Sequence, residues 1–172
     1  MQKQAVAKLV VAAMCLALAL VLPFLTGQIR EIGSMLCPMH LPVLLCGFLC
    51  GWPWGLAVGA VAPLLRSALF SMPPLFPIAV SMAAELAVYG LVTGLLSARL
   101  PKKLGWTYVS LIAAMLLGRV AWGLVRLLLA GLSSGAFTWA MFLSGALTTA
   151  IPGIIVQLIL VPVIVTAVQK RV

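Results

Sequence analysis

A six-helix transmembrane bundle, all-α and polytopic, is the fold class that this sequence predicts, and three observations predict it. Hydrophobic residues occupy 65% of the 172 positions and charged residues only 8%, a composition that places the chain among membrane proteins. Between Pro38 and Leu96 three apolar segments are separated only by the breaks Gly51-Trp-Pro-Trp-Gly55 and Ser71-Met-Pro-Pro74, which leaves no room for a soluble domain. The basic residues stand mainly at the ends of apolar runs, as they do where charge sets topology. At about 20 residues per span the length holds about six spans, so residues 1–172 form a single transmembrane domain.

Segment one runs from about Gln4 to Leu25, with Lys3 and Lys8 at its start and Pro23 near its end, where proline permits a bend or an early stop. Its beginning resembles a signal peptide, and Ala17-Leu-Ala19 has the small residues of a cleavage site. The apolar run continues to Leu25, too long for a signal h-region, so the expectation is an uncleaved first span. Thr26 to Cys37 follows as the longest polar stretch, containing Gln28, Arg30, Glu31, Gly33 and Ser34. It is either a solvated connector or the cap of a cavity.

Segment two, about Pro38 to Cys50, is short for a span, and segment three, about Trp54 to Phe70, carries Pro63 near its middle; both are expected to be broken or tilted. Segment four spans about Pro73 to Ser97, with Pro77 placed in its first turn, where proline is tolerated. The basic turn Arg99-Leu-Pro-Lys-Lys103 ends it. Segment five, about Gly105 to Ala130, precedes the polar Gly131-Leu-Ser-Ser-Gly135. Segment six, about Phe137 to Gln169, is longer than a membrane needs and contains Pro152 and Pro162, which predicts a kink or an extension beyond the bilayer.

Threading six helices with the N-terminus inside puts Lys3, Lys8, Arg99, Lys102, Lys103, Lys170 and Arg171 on one side and leaves Arg30 as the only basic loop residue on the other. By the positive-inside rule both termini are cytoplasmic. The net charge of +9 is thus topology information and no nucleic-acid patch. The four cysteines, Cys15, Cys37, Cys46 and Cys50, lie in or beside apolar segments, where cysteine is a small buried hydrophobe, so no structural disulfide is expected.

Four charges fall inside spans: Arg66 in segment three, Glu85 in segment four, and Arg119 and Arg126 in segment five. Each costs about 2.5–3.5 kcal/mol on insertion scales, so each should face the bundle interior and find a partner. Arg119 and Arg126, seven residues apart, share a helix face, and Trp122 lies on the same side. A cavity lined by guanidinium groups and aromatic rings suits a small anionic ligand with a flat or apolar part. Arg119 is equally able to pair with Glu85 to hold two helices together, and Arg126 to snorkel to the interface. Glu85 and Tyr89 share a face, Gln157 is the strongly polar side chain midway along segment six, and Trp139 adjoins the outer loop. These would complete a site by hydrogen bonding and stacking, with interhelical glue as the other reading of Gln157.

Cys37-Pro-Met-His40 has soft-metal character, but its spacing matches no closed ligand set, and the chain has one histidine; no metal is expected. His40 is a helix-start residue, either a ligand contact or a structural group. The chain has no aspartate, no nucleophile elbow and no Walker motif, so it is expected neither to be an enzyme nor to hydrolyse ATP, and no cofactor is implied. Small residues recur at intervals of four in Ala13 and Ala17, Gly47 and Gly51, Gly55 and Gly59, and Gly90 and Gly94, a spacing that lets helices approach closely.

These features together resemble the substrate-binding S component of energy-coupling factor (ECF) transporters, small six-helix membrane proteins that capture vitamins or related micronutrients. The resemblance covers nearly the whole chain and is densest in Ser34-Met-Leu-Cys-Pro-Met-His-Leu-Pro42, Gly47-Phe-Leu-Cys-Gly51, Gly55-Leu-Ala-Val-Gly59 and Met72-Pro-Pro-Leu-Phe-Pro77 through Tyr89-Gly90. It implies that Ala13 and Ala17, matching an Ala-x-x-x-Ala of the first helix, contact a membrane-embedded coupling subunit of the EcfT type. It also implies that substrate is held near the outer face by Arg30 to His40, Glu85, Tyr89, Arg119, Trp122, Arg126 and Gln157. Two ABC ATPase subunits in separate chains would supply the energy, in a bacterial or archaeal plasma membrane. The chain begins Met1-Gln2 and lacks the Met-His start of the metal-uptake members, and the arginine surplus favours an acidic vitamin or precursor such as pantothenate. The rival readings are a structural membrane protein of the MreD type, a small lipid- or peptide-processing enzyme, disfavoured by the scarcity of acidic residues, and a stand-alone secondary carrier coupled through Glu85.

Overall fold

The computed structural model describes residues 2–25, 37–132 and 151–169. Within them the chain forms six α-helices: α1 (Gln2–Leu25), α2 (His40–Cys50), α3 (Trp52–Phe70), α4 (Val80–Arg99), α5 (Leu104–Leu132) and α6 (Ile151–Gln169). No strand occurs among the described residues. Helices dominate because lipid offers no partner for a backbone N–H or C=O, so each segment must satisfy its own. Five of the six are long and apolar enough to cross a membrane; α2 is the exception. With 11 residues it extends about 16 Å, half the hydrocarbon thickness.

The tightest packing joins α2, α3 and α4, and glycine makes it possible. A methyl group added at Gly55 or Gly90 would overlap the other residue's backbone, one at Gly59 would strike the backbone of Leu86, and one at Gly94 that of Trp52. Gly47 faces Thr93, whose hydroxyl donates to the Tyr89 carbonyl at 2.7 Å. Gly47, Gly55, Gly59, Gly90 and Gly94, among the small residues spaced by four in the sequence, therefore form the contact stripes of this unit. Backbone approach of this kind stabilises helix association in lipid, where water expulsion gives nothing. Gly51 links α2 to α3 with φ 93°, a left-handed conformation that suits glycine and reverses the chain without a loop.

One expectation is corrected. Pro77 does not sit in the first turn of a regular helix: it lies in the irregular turn Leu75–Ala79 that precedes α4. Proline forces the residue before it toward extended geometry, and Phe76 accordingly has φ −114° and ψ 134°; the Ser81 hydroxyl then donates to the Pro77 carbonyl at 2.6 Å. Of the two readings of segment three, broken or tilted, the break is absent, because α3 continues through the buried Pro63 to Phe70. The part of segment six before Ile151 lies outside the described residues.

Around this unit α1 packs on α2 and α3, α5 on α4, and α6 on α2 and α5. Their inward faces carry Ala12, Cys15 and Ala19, then Leu111, Ala114 and Met115, then Val161 and Val165, all buried. Their outward faces expose Val10, Met14, Leu116, Leu128, Ile159 and Val163, the surface a lipid phase requires. All four cysteines are thiols.

Candidate functional site

Three polar side chains, those of His40, Tyr89 and Arg119, gather around the buried Glu85 carboxylate. The turn ahead of α2 begins at Cys37, held in the left-handed region with φ 47°, and the His40 amide donates to the Cys37 carbonyl at 3.0 Å. This starts α2 with His40 as its first residue and only 3% exposed. Glu85, 1% exposed, and Tyr89, also 1%, lie one turn apart on α4. From α5, Gly118 leaves the space that the Tyr89 ring fills, since a methyl group there would overlap the ring. The next residue, Arg119, reaches the carboxylate.

One carboxylate oxygen, Glu85 Oε1, lies 3.0 Å from Arg119 Nη1 and 3.4 Å from His40 Nε2. Neither contact has the directionality of a hydrogen bond, so charge holds the group together. In a low-dielectric interior that attraction is strong, and losing either partner would strand a buried charge. The Tyr89 ring meets the imidazole edge to face, with centroids 5.4 Å apart and planes at 68°. Cys37 lies within range of the same centre: burial pushes its thiol up to about 11, against the opposing pull of Arg119. Among the described residues, His40 Nδ1 and Nε2, Glu85 Oε1 and Arg119 Nε are buried without a geometrically formed hydrogen bond. Groups left so in a dry interior cost about 1–3 kcal/mol each, so the cluster is held by charge at a cost in hydrogen bonding.

Of the residues expected to form a site, the structure brings His40, Glu85, Tyr89 and Arg119 together. Trp122 and Arg126 continue along α5, with the guanidinium 5.7 Å from the Trp122 ring; Arg126 stands two turns, about 10 Å, beyond Arg119. Arg66 lies elsewhere. Its guanidinium donates to the Leu20 carbonyl of α1 and is flanked by Phe24 at 4.9 Å and Phe70 at 5.4 Å, two rings that themselves pack edge to face. Gln157 is buried on the inward face of α6 with Val161 and Val165. Arg30 and Trp139 lie outside the described residues.

Sequence reasoning did not assign Gly118 to the site, although it has a visible signal, a glycine next to an intramembrane arginine. Cys37 fell within the stretch Arg30 to His40 that the resemblance implies, but its left-handed turn was not foreseen. Among the described residues no three His, Cys, Asp or Glu side chains converge as metal ligands. A shallow surface dent lies at the other end of the bundle, lined by Phe48, Ser97, Leu100, Lys102, Trp106 and Ser110, some twelve residues, or about 18 Å, along α4 from Glu85. On α1 both Ala13 and Ala17 are exposed, while Ala12, Cys15 and Ala19 face inward.

Comparison with known proteins adds one finding. A family model described as the substrate-specific component of ECF transporters matches residues 7–165. No curated protein and no solved structure matches the chain. The match spans most of the sequence and agrees with a bundle of membrane-spanning helices around a buried polar centre, so the chain belongs to the family of ECF transporter substrate-specific components.

Proposed function

We propose that this protein captures a vitamin or vitamin precursor at the outer face of a bacterial or archaeal plasma membrane and delivers it inward, together with a coupling subunit of the EcfT type and two ABC ATPase subunits. The observation that carries this reading is the cluster of His40, Glu85, Tyr89 and Arg119, charged and hydrogen-bonding groups that a merely structural bundle would do better to replace with apolar ones. Arg126 and Trp122 extend the polar line along α5, offering a cation and a ring to a carboxylate-bearing ligand. Three arginines lie within spans and the whole chain has two carboxylates, so an acidic molecule such as pantothenate is the favoured cargo. Arg30 and Trp139 are proposed to contribute from the outer loops and Gln157 from α6, whereas the position of Arg66 favours fastening α1 to α3.

For coupling, the exposure of Ala13 and Ala17 on α1 supports a close helix contact with a membrane partner. A carrier coupled through Glu85 is less favoured, since that carboxylate is already balanced by Arg119. The test is thermal-shift or native mass-spectrometric screening of the detergent-purified protein against water-soluble vitamins, with Arg126→Ala and Glu85→Ala as controls. Tight binding of one vitamin, weakened by both changes, supports capture. No ligand, with co-purification of cell-wall synthases, favours a scaffold of the MreD type.

A further inference from the structure

The short link between α4 and α5 concentrates charge on a fixed backbone. α4 ends where Leu100 turns extended, with φ −97° and ψ 150°, as the residue before a proline does. The Leu100 amide still donates to the Leu96 carbonyl at 2.8 Å, and the Lys103 amide donates to the Pro101 carbonyl at 2.7 Å. The Lys103 carbonyl then accepts from the Trp106 and Thr107 amides at 3.0 and 3.2 Å, which starts α5. This link carries three exposed cations, Arg99, Lys102 and Lys103. None of them enters an ion pair among the described residues. Glu85, the one acidic residue among those described, lies fourteen residues back along α4 from Arg99, about 21 Å away.

Beside these cations lies the shallow dent, which Lys102 from the link, Trp106 from α5 and Phe48 from α2 line together with Ser97 and Ser110. The Ser97 hydroxyl donates to the Gly94 carbonyl at 3.1 Å and the Ser110 hydroxyl to the Trp106 carbonyl at 2.9 Å. Both donors are thus spent inside their own helices, and what the dent offers an incoming group is cationic and aromatic. Trp106 is also the first of an exposed stripe that continues through Val109, Ile112 and Leu116. At spacings of three and four these residues share one face of α5, which runs from the basic link into the apolar phase. A shallow, open depression does not enclose a soluble metabolite. A lipid needs no enclosure, because its chains stay in the bilayer.

We propose that the Arg99–Lys103 link and the first turns of α5 hold one anionic phospholipid of the cytoplasmic leaflet. Its phosphate lies against Lys102, Lys103 and Arg99, its glycerol lies level with Trp106, and an acyl chain follows Val109, Ile112 and Leu116. The headgroup carries net negative charge, as in phosphatidylglycerol or cardiolipin, since three cations attract it and repel the ammonium of a zwitterionic headgroup. The cytoplasmic side follows from the positive-inside rule, and tryptophan marks the headgroup level. The site is independent of any cargo at Glu85.

The test titrates the delipidated full-length protein in detergent with dioleoyl-phosphatidylglycerol or dioleoyl-phosphatidylcholine and reads bound lipid by native mass spectrometry. One phosphatidylglycerol is expected to be retained at least about fivefold more tightly than phosphatidylcholine, with the preference declining as salt rises. The double variant Lys102→Gln with Lys103→Gln is expected to weaken that retention at least about tenfold. Lys102→Arg with Lys103→Arg should preserve it. Lys8→Gln, at an exposed cation of α1 that does not line the dent, should leave it unchanged. All these positions are exposed, so melting temperatures should be preserved.

Equal retention of the two lipids overturns the proposal, as does weakening by Lys8→Gln equal to that of the lysine pair, which would mean a diffuse field and no discrete site. Displacement by equimolar sn-glycerol 3-phosphate overturns it too, since the acyl chain would then contribute nothing. Unchanged lipid retention in the double glutamine variant also overturns it, and if that variant loses the coupling subunit, the link belongs to that partner instead.

Discussion

Arg119 on α5 and Glu85 on α4 form an ion pair of 3.0 Å inside the bundle, with the carboxylate side chain 2% exposed and the guanidinium side chain 16%. Breaking a buried pair from one side is more damaging than removing both, because the survivor is left charged and unpaired. Glu85→Ala is expected to lower stability by about 3–5 kcal/mol. The double variant Glu85→Ala with Arg119→Ala should lose less than the sum of the single changes. Thermal unfolding of the four proteins in detergent, read as a double-mutant cycle, measures the coupling, and simple additivity would show that the two groups act independently.

The glycine stripes make a second prediction with a built-in control. Gly90→Ala places a methyl group on the Gly55 backbone, which has no flexible side chain to give way, and should cost about 1–3 kcal/mol by overpacking. Gly105→Ala, near the start of α5, meets nothing within 4 Å and should be neutral or gain up to about 1 kcal/mol from helix propensity. Melting temperatures of the purified variants distinguish the two. Equal behaviour at both positions would show that α3 and α4 do not rely on backbone contact.

How much of this was legible in the sequence depends on whether the information is local. The spans follow from apolar run length, and the break after segment two from the glycines and proline of Gly51-Trp-Pro-Trp-Gly55. The Arg119–Glu85 pair was one of two open readings, since both charges had to face inward. The fate of Arg66 was not legible: it stands 46 residues from Leu20, and only the adjacency of α1 and α3 brings it to that carbonyl and to Phe24. His40 likewise depends on a tertiary fact, the packing of α2 on α4, which no periodicity encodes. Pro77 misled because helix-start statistics compete with the extended geometry that proline imposes on the preceding Phe76.

Cys37 gives a pH-dependent prediction outside the spans. Burial raises its thiol from 9.0 to about 11, so the folded protein holds that proton more tightly than the unfolded chain does. The sign follows: the thiol's contribution to stability is full below about 9 and declines as pH rises through about 11. Because the thiolate is the nucleophile, modification by N-ethylmaleimide should be slow near neutral pH and accelerate toward pH 11. The measurement uses a background in which Cys15, Cys46 and Cys50 are replaced by Ala. A rate at pH 7 as fast as that of the denatured chain would contradict the half-buried position and the raised thiol.

The outward face of α1 offers a test that separates coupling from capture. Ala13 and Ala17 are exposed, whereas the residues that fasten α1 to the bundle, Ala12, Cys15 and Ala19, lie on its other side. Two tryptophans at Ala13 and Ala17 therefore enlarge a surface and leave the core packing untouched, with an expected effect on stability within about 0.5 kcal/mol. The same change removes the close backbone approach that small residues allow in lipid, so the coupling subunit should no longer co-purify. Ligand binding by the isolated protein should persist, because His40, Glu85 and Arg119 stand on α2, α4 and α5. Retention of the complex would remove Ala13 and Ala17 from the interface. Loss of ligand binding along with the complex would mean that α1 helps to shape the site, and the two roles could not then be assigned to different faces of the bundle.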